Sequence, residues 1–210
     1  MPPRTLCPVT SNDELVKLEA VYRPLADSVR RLIDATIRTQ VDAATLAAAK
    51  EKIDCTTEEL SAALMPSSFG VRQTADGQSM PWGNVVIGLR NPVAPPLAIN
   101  YEADGLVWSD FTLGAAYEGP PGHVHGGVCA MVLDHVLGAT AHKPGRPAVT
   151  GTLSVRYLRG TPLGPLRAEA HIDRVEGVKT FASGHIADAQ GITVQAEGVF
   201  VHPQNRGANS

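Results

Sequence analysis

The first 69 residues of this 210-residue chain contain no glycine, and all twenty glycines lie from Gly70 onward. A stretch without glycine lacks the residue that tight left-handed turns call for, which favours long helices there over short strands. Cysteine is also sparse. Cys7, Cys55 and Cys129 are an odd, scattered set with no CxxC pair. That argues against a disulfide framework or a thiolate zinc site and for reduced thiols in a cytoplasmic protein. The formal net charge of −3 lacks the basic excess of a protein that grips a polyanion, so nucleic acid is excluded as the main partner. No apolar run is long enough to span a membrane. The most apolar stretch, Gly126 to Ala141, has sixteen residues and contains Asp134 and His135. The opening Met1-Pro-Pro-Arg-Thr5 leads into no apolar run, so no secretory signal is expected. What is abundant is apolar residue, 43% against 19% charged, enough for one domain with an extension or for two small domains.

The glycine-free part reads as helix. Ser11-Asn-Asp-Glu14 has the form of a capping box. After it Leu15, Leu18, Tyr22, Leu25, Val29 and Leu32 recur at three- and four-residue steps, a stripe expected to pack against the rest of the protein or a partner subunit. Pro24 removes a backbone donor inside the run and predicts a kink or break. Asp42 can cap a further alanine-rich helix, and Thr56-Thr-Glu-Glu59 offers another capping box before Leu60 to Leu64. Residues 66–80 carry Pro, Ser and Gly and read as a linker or a loop. The expected division is therefore a helical extension over residues 1–75 and a second domain over 76–210.

From Trp82 the chain turns to short β-like runs. Asn84 to Arg90 and Gly105 to Leu113 are expected strands. Beyond the central apolar stretch, Val149, Gly151, Leu153, Val155 and Tyr157 alternate with Thr150, Thr152, Ser154 and Arg156. Leu166, Ala168, Ala170 and Ile172 alternate in the same way with charged residues. Lys179 to Asp188 and Ile192 to His202 complete a set joined by glycine turns, which predicts an antiparallel meander with one buried face. Gly126 to Ala141 is long enough for four helical turns and apolar nearly all round, so it should be buried. Two strands, a buried helix and four strands make an α+β layout with the sheet curled around one helix.

Asp134 stands out on that helix. Its neighbours three and four residues away are Ala130, Met131, Leu137 and Gly138, none able to pair with a carboxylate. An ionised carboxylate buried there must be protonated, bonded from another element, or open to a cleft. An acceptor for a neighbouring strand and a functional carboxylate are both compatible with that placement. The preceding segment, Gly119-Pro-Pro-Gly-His-Val-His-Gly-Gly127, is a stiff loop feeding the helix N-terminus. Its free N–H groups suit a developing oxyanion. His123-Val-His125 invites a metal site, but such a motif needs a Glu four or five residues on, where Cys129 and Ala130 stand, so no metal is expected. His135 points about 100° away from Asp134 around a helix, as a packing histidine would.

His125-Gly-Gly127 with Asp134 nine residues after the histidine resembles the hotdog-fold acyl-CoA thioesterases. The similarity is greatest to the PaaI-like group and the mitochondrial long-chain enzymes. It runs over Tyr117 to His202 through Tyr117-Glu-Gly-Pro-Pro-Gly122, Gly138, Thr150, Tyr157-Leu-Arg159, Val175-Glu-Gly177 and Lys179. The resemblance implies an antiparallel sheet wrapped around the central helix. It also implies an acyl-CoA substrate with no separate cofactor, and a homodimer or dimer of dimers. By the same resemblance Asp134 is general base or nucleophile, the Gly126 N–H is the oxyanion donor and His125 holds the loop. Thr150, reached across the dimer interface, orients the water or the carboxylate. Many PaaI-like members have an Asn six residues before the histidine, where this chain has Gly119.

Lys143 to Lys179 holds seven cations (Lys143, Arg146, Arg156, Arg159, Arg167, Arg174, Lys179) against three acids. Such a local positive excess suits the phosphates of CoA. The resemblance selects Arg156, Arg159 and Lys179, with Gly127, as substrate-binding residues. Two other functions are compatible with the fold: a non-catalytic acyl-CoA binding or regulatory protein, and a hotdog dehydratase.

Overall fold

The computed structural model describes residues 11–70, 72–73, 79–95, 97–142 and 147–203, and it divides into two compact units, Met1–Ala94 and Pro95–Ser210. Cys7, Lys143 and Arg146 lie outside the described residues.

The first unit begins with α1 (Asn12–Arg38) and α2 (Ala43–Ser61). Ser11 caps α1 through its hydroxyl, which accepts from the Glu14 N–H at 3.3 Å, and Asp42 caps α2 by accepting from the Thr45 N–H at 2.8 Å. Helix α1 continues through Pro24 without a break. The expected second capping box at Thr56 does not start a new helix. The Thr56 and Thr57 hydroxyls donate back to the Lys52 and Ile53 carbonyls, and α2 runs straight through them. A two-residue pair, β1 (Arg72–Gln73) with β2 (Ser79–Met80), lies within the expected linker.

The division between units falls later than 75/76 because the segment after β2 packs on α1. Met80, Trp82 and Leu89 form a cluster with Leu15, Leu18, Tyr22 and Phe69. The Arg30 guanidinium donates to the carbonyls of Gly88, Asn91 and Ala94 at 3.2, 2.8 and 3.1 Å. Leu25 and Leu32 of the expected stripe are exposed, and Ala26 is buried instead. The expected strand Asn84–Arg90 is a series of turns. The Asn84 side-chain oxygen accepts from the Val86 and Ile87 N–H groups at 2.7 and 3.1 Å, which turns the chain before a ladder can form.

The second unit is the α+β hotdog arrangement. Its strands are β3 (Asn100–Tyr101), β4 (Val107–Leu113), β5 (Val149–Tyr157), β6 (Gly164–Glu176), β7 (Lys179–Asp188) and β8 (Gly191–Val201), and α3 (Gly126–Ala141) packs on the sheet they form. All pairings are antiparallel in the order β3-β4-β6-β7-β8-β5. Only β6, β7 and β8 make the expected meander. β5 pairs with β8 at the sheet edge and not with its chain neighbour β6, so the fourth strand of the meander lies elsewhere. Helix α3 buries Cys129, Val132, Leu133, Val136 and Leu137 against inward residues such as Ala168, Ala182, Ala196 and Phe200. The sheet makes room for the helix with glycines. A Cβ at Gly198 would lie 3.3 Å from the Leu137 side chain, and Phe200 would be 3.3 Å from a Cβ at Gly138.

Strand β5 carries the feature that decides the site. Thr150 stands opposite Phe200, but Thr152 stands opposite Val199 and Leu153 opposite Gly198. Gly151 is thus an extra residue, a β-bulge, and it changes which face each later side chain takes. Thr150 therefore shares the inward, α3-facing side with Leu153, Val155 and Tyr157. Simple alternation places it on the other side.

Candidate active site

Helix α3 starts where Gly119 to His125 turns the chain into its first residue. His125 is the N-cap, and its Nδ1 accepts from the Gly127 N–H at 3.0 Å. The Val128 N–H donates to the His125 carbonyl at 2.9 Å. These bonds satisfy the second and third amides of the helix. The first, Gly126 N–H, has no acceptor among the described residues, which is the condition an oxyanion donor needs. The Gly126 carbonyl accepts from the Tyr157 hydroxyl at 2.8 Å. His125 thus sits where it can hold the loop. Gly127 has its N–H committed to His125 and not turned to a ligand.

Eight residues on, Asp134 is half-buried on α3, and its Oδ1 accepts from the Thr150 hydroxyl at 2.8 Å. The bond is made within one chain, not across a dimer interface as expected, because the Gly151 bulge turns Thr150 toward α3. Burial outweighs the neighbouring Asp134 charge at His135 and lowers its pKa below the ordinary histidine value. The ring is therefore neutral at pH 7, and the carboxylate is oriented by a hydroxyl, not by an imidazolium.

A cavity of about 550 Å³ opens beside Gly126 and is lined by Pro120, Val124, Cys129, Tyr157, Leu158 and Thr161 among others. Burial raises the Cys129 thiol pKa, which keeps it protonated and inert at neutral pH. His123, which also lines the cavity, has Nδ1 2.9 Å from the Pro121 carbonyl. Gly119, the departure from the PaaI-like pattern, has no room for a side chain. A Cβ there would lie 2.7 Å from the His125 Cα.

The three expected CoA contacts do not converge. Arg159 lines the cavity, but its guanidinium is committed to the Asp188 carboxylate, with one N–H to Oδ2 at 2.8 Å, and to the Gly191 carbonyl at 2.8 Å. Arg156 and Lys179 have no polar partner among the described residues. Arg156 stands opposite Gln195 and Lys179 opposite Val201. Six residues of β8 place them roughly 20 Å apart. Arg167 and Arg174 are paired with Asp110, Glu169 and Glu176.

The Arg159 clamp has a pH signature. Hydrogen bonds from Arg159 hold the Asp188 carboxyl down at about 2, below its ordinary 3.8. A depressed carboxylate contributes stability above the unfolded value and loses it as pH falls through the folded one. Wild type is therefore expected to resist urea better than Asp188→Asn at pH 6. The two midpoints should converge as pH drops from about 4 to 2. A gap as wide at pH 2 as at pH 6 would contradict the assignment.

Comparison with known proteins agrees with this architecture. Residues 121–195 match the Thioesterase superfamily model. Acyl-coenzyme A thioesterase THEM5 of Homo sapiens is 32% identical over 97 residues, 45% of this chain and 39% of that protein. Acyl-coenzyme A thioesterase THEM4 of Xenopus laevis is 33% identical over 94 residues, 43% of this chain and 42% of that one. The chain thus spans about two fifths of the length of these curated relatives. A crystal structure of a thioesterase superfamily protein is 35% identical, with a TM-score of 0.76, over 86% of this chain and 95% of that one. The chain belongs to the thioesterase superfamily.

Proposed function

We propose that the protein is an acyl-CoA thioesterase that hydrolyses the thioester to free acid and CoA. The observation that carries this reading is a carboxylate on a buried helix, oriented by a strand hydroxyl, on the same helix as an N-terminal amide that has no acceptor among the described residues. A thioester is activated enough that a positioned water and one oxyanion donor suffice, so no cofactor is called upon. With Asp134 as general base, it takes a proton from water as the oxygen adds to the carbonyl carbon. Negative charge then gathers on the former carbonyl oxygen at the Gly126 N–H, and collapse expels CoA thiolate. With Asp134 as nucleophile, the same donor serves an acyl-enzyme anhydride that water cleaves.

Eight helical residues separate Gly126 from Asp134, roughly 12 Å along the axis, too far for both to act on one carbonyl. The reading therefore includes a homodimer, alone or paired into a dimer of dimers. In it, Asp134 of one protomer faces Gly126 of the partner subunit. Edge strand β5, with Val149 and Tyr157 more than half exposed, offers the unpaired backbone for such an association. Arg156 and Lys179, which have no polar partner among the described residues, are candidates to meet CoA phosphates. The free thiols of Cys55 and Cys129 suit a cytoplasmic setting, and no described helix is long and apolar enough to cross a membrane.

Incubation with a panel of acyl-CoAs of different chain length and aryl character tests the reading through release of free thiol. Turnover is expected for at least one class. Tight acyl-CoA binding with no thiol release would replace it with the non-catalytic alternative. Hydration of an enoyl-CoA with the thioester intact would replace it with the dehydratase.

A further inference from the structure

We infer that Tyr157 is a positioning residue that sets the direction of the Gly126 oxyanion donor. The inference rests on the thioesterase reading above and adds a residue to it. The peptide group joining Gly126 to Gly127 is held at both ends. Its oxygen accepts from the Tyr157 hydroxyl at 2.8 Å, and its N–H donates to His125 Nδ1 at 3.0 Å. A glycine pair at a helix start otherwise has the widest backbone freedom of any dipeptide. Fixing that plane removes one of the two torsions, the ψ of Gly126, through which the adjoining peptide that carries the Gly126 N–H can turn against it.

The ring contributes as well as the hydroxyl. A Cβ on residue 126 would lie 3.2 Å from the Tyr157 ring carbon that bears the hydroxyl and 3.2 Å from the hydroxyl oxygen. Tyr157 therefore packs so closely on the glycine that a Cβ there would push the ring by a few tenths of an ångström. The tyrosine is held inward by the post-bulge register of β5, opposite Val194. It also lines the cavity beside Gly126. An amide that must meet charge only as it develops is most effective when its direction is set beforehand, and the two-ended clamp supplies that.

The test compares Tyr157→Phe and Tyr157→Leu with wild type by steady-state thiol release, well below the melting temperature of each. Loss of the hydroxyl is expected to lower kcat about tenfold in both variants, with KM within about twofold of wild type. The kcat–pH profile should keep its shape. Wild-type kcat in the Phe variant with a loss only in the Leu variant would reduce Tyr157 to ring packing and overturn the inference. So would a rise in KM at constant kcat, or loss of one limb of the profile, which marks direct proton transfer. Amide hydrogen exchange reads the clamp without turnover. Gly127 is expected to exchange about tenfold faster in the Phe variant, and unchanged exchange overturns the inference. Absence of thiol release by wild type removes the thioesterase reading and leaves the exchange result to decide the clamp.

Discussion

Asp134→Asn is expected to lower kcat for acyl-CoA hydrolysis by about 10³-fold while leaving acyl-CoA affinity close to wild type. The substitution is nearly isosteric. The Thr150 hydroxyl, which donates to Asp134 Oδ1 at 2.8 Å, can donate equally to an amide oxygen, so the link between α3 and β5 survives. What disappears is the ability to take a proton from water or to attack the thioester carbon. Both versions of the mechanism need the carboxylate, and neither survives the amide. Thiol release measured at saturating substrate gives kcat, and a binding measurement with CoA separates chemistry from affinity. Hydrolysis within a fewfold of wild type would remove Asp134 from the chemistry and leave it as a strand-bonded helix residue.

The largest expected effect on stability comes from Gly184 of β7. A methyl group there would lie 2.4 Å from the Glu169 carbonyl oxygen and 2.7 Å from the Leu137 side chain. The first contact is backbone and cannot swing aside. Relief requires β6 and β7 to separate or α3 to lift from the sheet. Gly184→Ala is expected to destabilise the second unit by about 3 kcal/mol, a fall in Tm of roughly 6–12 °C. Calorimetry or thermal melting followed by circular dichroism reads it directly. A Tm within 2 °C of wild type (roughly the shift from 0.5 to 1 kcal/mol at this size) would mean that the helix seat is looser than these distances require.

The buried helix and its start were legible because the signals are local. A sixteen-residue, mostly apolar run without proline, a histidine-glycine-glycine entry and one misplaced aspartate all lie within a single stretch of chain. The arrangement of strands was legible only in part. Alternation identified the runs that became β5 to β8, but pairing β5 with β8 is a long-range choice that no neighbouring residue encodes. Val85, Val86 and Ile87 have the composition of a strand, yet a single side chain, Asn84, captures their amides and bends the chain. Arg159 reads as an available cation until Asp188, far along the chain, is folded against it. Tyr157 had no local signal of its own beyond its place in the family-like Tyr-Leu-Arg run. Its value comes from the Gly126 carbonyl, reached only once β5 lies beside α3.

Thr150 was found by resemblance, while its facing was hidden by the one residue that makes it work. Gly151 resets the side-chain frame of β5, so the strand is read in one phase at its start and in the other from Leu153 onward. The hydroxyl end that serves Asp134 and the tyrosine end that serves Gly126 are thereby uncoupled in parity. A relative lacking the extra residue would need to move its hydroxyl by one position to keep the same contact. Sequence alignments through this strand should therefore allow a single-residue gap at Gly151 before the hydroxyl is judged missing.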